Sequence, residues 1–327
     1  MSTKSRPANV LTLHEALPVA EAAGYALGSF SPRYLAMLRP TLGAAEAARS
    51  PIIAQIAGTE FRHYGVTPAA FAEEFYRQLA ALEITVPVVL HLDHTKDLAT
   101  IEAAIAAGFT SVMIDASELP LAENIAQTRA VVALARRHGV SVEAELGRIS
   151  STDTIESGGF GESGDDAELY TDPEEARRFV AETGVDALAV SVGTAHGVYL
   201  VKEPTIDFAR LAAIRALTPI HLVLHGGSGV PAAMVAEAIA LPGGGVSKVN
   251  IATDLEQAAL AALGRTERLT SAAMSALPAA EIARAQAAVA ATVDDKLRNF
   301  LGSAGQADAA AWRSVRASGS YSAAQNA

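Results

Sequence analysis

Three histidines in this chain stand just past the ends of short apolar runs. They are His94 in Val89-Leu90-His91-Leu92-Asp93-His94-Thr95, His196 in Val192-Gly193-Thr194-Ala195-His196-Gly197, and His225 in Leu222-Val223-Leu224-His225-Gly226. Imidazole is the commonest metal ligand, and a carboxylate such as Asp93 can move a proton. One Asp-His pair at the end of a strand reads equally well as polarity meeting water. Three imidazoles in that position, with a fourth coordination place left open, describe a catalytic zinc site. The chain has no cysteine, so a thiolate site is excluded.

Two further groups join these. Glu143 and Glu145 alternate along Val142-Glu143-Ala144-Glu145-Leu146, which puts both carboxylates on one face. They read as partners orienting the histidines, as an alternative metal ligand, or as a buried charge pair with Lys or Arg. Gly226-Gly227-Ser228-Gly229 and Asn250-Ile251-Ala252-Thr253-Asp254 also follow apolar runs, and backbone N–H groups in such loops can hold a phosphate. Gly227-x-Gly229-x-x-Ala232 is a relaxed match to a dinucleotide fingerprint, but the acid that fingerprint needs after the next strand is replaced by Asn250.

For these residues to meet, the elements before them must be parallel strands of one sheet. Apolar runs at residues 25–30, 51–57, 86–93, 111–117, 141–147, 187–193, 221–226 and 246–251 read as strands. Helical spacing occupies 11–23, 34–49, 68–82, 98–107, 121–138, 173–183, 208–216 and 231–241. Eight strands, apolar on both faces and alternating with helices, predict an α/β fold, a (β/α)8 TIM barrel, with a C-terminal helical extension over 255–301 that breaks near 266–278. A closed barrel carries all three histidines to one mouth. Residues 1–302 are expected to form a single barrel domain. A Gly-, Ser- and acid-rich loop at 148–170 follows strand five, where it would serve as a lid. The tail at 303–327 is expected to be disordered or to lie at an oligomer contact. The net charge of −11 argues against nucleic acid, and no apolar run approaches the ~18 residues of a membrane helix. With no leader sequence evident and no cysteine, a cytoplasmic protein is expected.

Taken together, several segments resemble the class II, zinc-dependent ketose-bisphosphate aldolases of the fructose and tagatose type. They are His91-Leu92-Asp93-His94, Ser111-Val112-Met113-Ile114-Asp115, Glu143-Ala144-Glu145-Leu146-Gly147, Gly193-Thr194-Ala195-His196-Gly197, His225-Gly226-Gly227-Ser228 and Lys248-Val249-Asn250-Ile251-Ala252-Thr253. The resemblance implies a lyase that reversibly cleaves a ketose 1,6-bisphosphate to dihydroxyacetone phosphate and an aldehyde such as glyceraldehyde 3-phosphate. His94, His196 and His225 would hold Zn2+ or another divalent metal, with Glu145 nearby. Asp93 would be the acid/base, and Asn250 would position the enediolate. Gly197, Gly226, Gly227, Ser228, Ala252 and Thr253 would bind the phosphate beside a monovalent cation, Na+ or K+. Family members commonly form homodimers or homotetramers.

The departures lie at the rim. The family's Gly-Gly-x-Glu-Asp after strand five becomes Gly158-Gly159-Phe160-Gly161-Glu162, which makes Glu162 the candidate lid base with Glu156 behind it. Phe-Asn after strand one becomes Phe30-Ser31-Pro32, and a serine near the end of strand two becomes Ala57. That pattern fits the family's chemistry with a different aldehyde partner, so another phosphorylated sugar or sugar acid is an alternative substrate. A non-catalytic regulatory subunit of the same fold is a further alternative.

Overall fold

The structure is a computed structural model that describes residues 6–149, 169–195, 197 and 204–318. His196, Glu156, Glu162 and most of the expected lid lie outside the described residues.

The described chain runs β1 (Val10–Leu11), α1 (Leu13–Ala22), β2 (Leu27–Phe30), α2 (Leu35–Ala47), β3 (Ile52–Ala57), α3 (Gly58–Tyr64), α4 (Pro68–Ala81), β4 (Val88–Thr95), α5 (Leu98–Ala107), β5 (Ser111–Ile114), α6 (Leu121–Arg136) and β6 (Ser141–Leu146). It continues α7 (Pro173–Thr183), β7 (Ala187–Val190), α8 (Phe208–Leu217), β8 (His221–Leu224), α9 (Ala232–Ile239), β9 (Val246–Ile251), α10 (Thr253–Ala262), α11 (Ser271–Ser275), α12 (Ala279–Asp295) and α13 (Ala310–Ser318). Strands β2 to β9 pair in parallel in the order 4-3-2-9-8-7-6-5, and a β4–β5 pairing closes the ring. This is the expected eight-stranded TIM barrel. Polar caps set the helix starts: Thr67, Asp97, Asp172 and Asp207 each accept a backbone N–H from the first turn that follows.

Two short elements were not legible in the sequence. β1 pairs with β4 at Val10↔Val88 and Leu11↔Val89. α3 fits into the loop after β3. Residues 11–23, expected as one helix, divide into the end of β1, a Thr12 cap and α1. α1 buries Leu13, Ala16, Leu17 and Ala20 against the barrel's interior floor, where Leu27, Ile53, Val89, Met113, Ala189 and Val223 meet. The described part of the tail also packs there. Trp312 of α13 is fully buried in the same cluster, and Ser303 Oγ meets Ser50 Oγ at 2.9 Å.

Above that apolar floor the interior turns polar in two layers, because inward residues recur every second position. Ser29, Gln55, His91, Glu143 and Lys248 form the lower layer. Ser31, Ala57, Asp93, Glu145, His225 and Asn250 follow at the mouth. All of them are buried.

Candidate active site

Adjacent residues of a strand face opposite sides, so Asp93 and His94 would ordinarily be separated by the sheet. The β4–β5 ladder prevents that: Leu92 pairs with Val112, but Thr95 pairs with Ile114, which leaves one extra residue on β4. His94 absorbs the bulge with φ +30°, the left-handed region. Both side chains then reach the mouth. The His94 and His225 rings lie 4.5 Å apart between centroids, and donor atoms of Asp93, His94 and His225 all fall within 4.8 Å of one another.

Carboxylates surround this group. Asp115 Oδ2 meets His94 Nδ1 at 2.9 Å, and Glu145 Oε2 meets His225 Nδ1 at 2.9 Å. Glu143 Oε1 meets His225 Nε2 at 3.0 Å. The two readings of the glutamate pair therefore divide. Glu145 contacts an imidazole, 3.9 Å from His94 Nδ1 as well, whereas Glu143 is also ion-paired to Lys248 Nζ at 2.9 Å. His91 bonds Ser111 Oγ at 2.8 Å through Nδ1 and sits 3.6 Å from Glu143.

Asp93 is clamped as an acceptor. Ser29 Oγ donates to Gln55 Oε1, which turns Gln55 Nε2 toward Asp93 Oδ2 at 3.0 Å. On the other side Lys248 Nζ donates to Asn250 Oδ1 at 2.7 Å, which turns Asn250 Nδ2 toward both Asp93 oxygens at 3.0 and 3.1 Å. Burial disfavours its charge, but His94, His91 and Lys248 outweigh burial and hold the Asp93 carboxyl well below its usual range. Burial likewise opposes a charged His94, and Asp93, Asp115 and Glu145 overcome it, raising its pKa to about 10. Burial and the neighbouring Asp115 push Glu145 up.

Four carboxylates, Asp93, Asp115, Glu143 and Glu145, thus face a single lysine among the described residues. Buried charge of that sign calls for a cation, and imidazole plus carboxylate donors suit zinc or a similar first-row divalent ion. The residues present fit a metal.

Gly226 has φ +65°, and a Cβ there would lie 2.3 Å from Ala195 O, so the loop after β8 runs backbone against backbone. Gly227 N–H donates to Asn250 O at 3.0 Å. Ser228 Oγ accepts from Ala252 N and Asp254 N at a loose 3.3 Å each, at the start of α10. Gly197 is described with φ +98°, and Thr253 is buried as the first residue of α10. The ends of the 148–170 segment meet at the mouth, where Arg148 N–H donates to Leu169 O at 2.7 Å.

Sequence reasoning assigned no role to Gln55, Asp115 or Lys248. Each carried a signal: Gln55 is the lone polar residue in Ile52–Ala57, Asp115 ends a strand as Asp93 does, and Lys248 precedes Asn250 by two.

A closed parallel barrel with imidazoles and carboxylates gathered at the C-terminal ends of its strands is a TIM-barrel enzyme with a cation-seeking centre. The chain belongs to the class II fructose-bisphosphate aldolase family, whose model matches residues 11–306. A Bacillus subtilis (strain 168) protein named as a probable fructose-bisphosphate aldolase is 37% identical over 302 residues, covering 91% of this chain and 99% of that protein. The crystal structure of the YdjI aldolase from Escherichia coli K12 matches with a TM-score of 0.76 at 31% identity, over 91% of this chain and 100% of that one. A fructose-bisphosphate aldolase from Campylobacter jejuni shares the fold, with a TM-score of 0.71 at 22% identity, over 90% and 97% of the two chains. The family is metal-dependent and acts on phosphorylated sugars, so the chain is an aldolase, a lyase. No described helix is long and apolar enough to cross a membrane.

Proposed function

We propose that this chain reversibly cleaves a phosphorylated ketose to dihydroxyacetone phosphate and an aldehyde, using zinc held by His94, His196 and His225 with Glu145 close by. The observation that carries the proposal is the Asp93–His94–His225 group, whose donor atoms lie within 4.8 Å of one another in an anionic, buried mouth. Bound there, the divalent metal would draw charge from the ketose carbonyl and its neighbouring hydroxyl.

The chain's own groups do the rest. Asp93, ionised and fixed by Gln55 and Asn250, accepts the proton of the hydroxyl on the aldehyde side. The carbon–carbon bond breaks, and its electron pair stays with the three-carbon half. Asn250 lies beside that half and orients it. Glu162 is the proposed acid that protonates the carbon. Gly197, Gly226, Gly227, Ser228, Ala252 and Thr253 line the phosphate site, with the backbone N–H groups other than that of Gly227 and the α10 N-terminus as donors and Na+ or K+ as counter-ion. The relatives' names favour a fructose bisphosphate, with tagatose 1,6-bisphosphate kept as the other default that the sequence resemblance implies. The altered rim around Ser31 and Ala57 favours a second reading, another phosphorylated sugar. A cytoplasmic homodimer or homotetramer completes the proposal.

The test is release of dihydroxyacetone phosphate from a panel of ketose phosphates, with and without a chelator. Cleavage lost on metal removal and restored by zinc is expected. Full activity after complete removal overturns the metal role.

A further inference from the structure

We infer that the aldehyde half of the substrate carries no phosphate, so the ketose is phosphorylated only at the end that becomes dihydroxyacetone phosphate. This rests on the aldolase reading and concerns one corner of the mouth. Ser31 and Ala57 follow Ser29 and Gln55 on the inward faces of β2 and β3, and Ala57 pairs in register with Asp93. A substrate whose hydroxyl meets Asp93 extends its far end past this corner.

The corner offers what a phosphate dianion would want: the Ser31 hydroxyl, the Ala57 N–H and the Arg33 guanidinium. All three are already turned onto one carboxylate. Glu60 Oε2 accepts from Ser31 Oγ at 2.6 Å and from Ala57 N at 2.9 Å, and Oε1 accepts from Arg33 Nε at 2.6 Å. Glu60 is 7% exposed and Arg33 8%. Arg33 Nη1 is committed as well, to Glu256, which also takes the Tyr64 hydroxyl at 2.6 Å and Arg268 Nε at 2.9 Å. Two carboxylates thus balance two guanidiniums, and among the described residues of this corner no positive charge is left over. The bond to Ala57 N also caps α3. Capping alone needs one oxygen and one N–H; the serine and the arginine are additional.

The opposite side of the mouth is built differently. There the Asp254 N–H at the start of α10, and the Ala252 N–H just before it, meet a serine hydroxyl loosely at 3.3 Å, and the Asp254 carboxylate is turned away to Lys296 at 2.7 Å. A phosphate arriving on that side meets donors held only by a long contact to a hydroxyl, which it can replace. A phosphate arriving at Glu60 meets like charge, and pushing Glu60 aside would strand a buried carboxylate. A carboxylate does accept hydroxyl protons, so the corner fits an uncharged polyhydroxy aldehyde.

The experiment runs the aldol direction with the full-length, zinc-loaded enzyme and dihydroxyacetone phosphate. Glyceraldehyde and glycolaldehyde are compared with glyceraldehyde 3-phosphate. Exchange of the C3 proton of dihydroxyacetone phosphate with D2O, measured without aldehyde, tests the parent reading alone; its absence defeats that reading. With exchange present, kcat/KM for the neutral aldehydes should exceed that for the phosphorylated one by about tenfold or more, and Glu60→Gln should narrow the ratio by about tenfold, chiefly through KM of the phosphorylated aldehyde. A wild-type preference for glyceraldehyde 3-phosphate, failure to turn over either neutral aldehyde, or a ratio unmoved in Glu60→Gln overturns the inference. If that variant does not fold, the wild-type ratio decides.

Discussion

Replacing Lys248 by Met removes the one lysine among the described residues that faces the carboxylates at the barrel centre. Lys248 and Glu143 are both fully buried, with Nζ 3.0 and 2.9 Å from the two carboxylate oxygens. Met fills similar volume, so the change is mainly electrostatic. Removing one partner of a buried pair costs about 3–5 kcal/mol, because the other charge stays desolvated. The lost hydrogen bond to Asn250 adds about 1 kcal/mol. His225 Nε2 still faces Glu143 at 3.0 Å and offsets part of the loss, so a net destabilisation of about 3–5 kcal/mol is expected. Adding Glu143→Gln removes the stranded charge and should recover about 2 kcal/mol or more of it. Urea unfolding of wild type, single and double variants measures both quantities. A single variant within about 1 kcal/mol of wild type, or a double variant no more stable than the single, refutes the reasoning that Lys248 holds Glu143 ionised.

Asp93→Ala should lower cleavage by about a hundredfold or more while metal content stays near wild type; loss of bound metal would make Asp93 a ligand instead of an acid/base. Gly226→Ala should destabilise by about 1–3 kcal/mol and raise KM, since it forces a Cβ to 2.3 Å from Ala195 O; an unchanged Tm and KM would contradict the close approach. Trp312→Ala should cost about 3–5 kcal/mol by emptying the barrel floor, and a Tm equal to wild type would mean that α13 does not dock there. Burial raises the pKa of Glu256, but Arg33, Tyr64 and Arg268 reverse that and leave it below 4.5. Its contribution is therefore present above that value and fades as pH falls through the lower folded pKa, so the stability deficit of Glu256→Gln should shrink in acid. A deficit constant with pH would refute the assignment.

The barrel and most strand ends were legible because the strands are mostly apolar runs and several helices, such as α4, α5, α7 and α8, start at a polar cap. Asp93, His94 and His225 were legible because an acid or imidazole at the end of an apolar run is a visible break in pattern. What could not be read was long-range pairing. Lys248 sits 105 residues from Glu143, and nothing local in Ser247-Lys248-Val249 says that its amine ends inside the barrel. The bulge that turns Asp93 and His94 to one side depends on a register with β5, which belongs to two strands and to neither sequence alone. Glu60 lies in α3, which was not legible, and only the fold brings Ser31 and Arg33 to it. The tail's Trp312 offered apolar bulk without a partner in view.

His94 and His225 are proposed to share one divalent ion with His196. Anomalous diffraction at the zinc edge from crystals of the zinc-loaded protein tests it most directly. A single peak about 2.0–2.1 Å from one nitrogen of each of these rings is predicted. A peak elsewhere, or well-ordered His94 and His225 rings with no shared ion at full zinc occupancy, would contradict it.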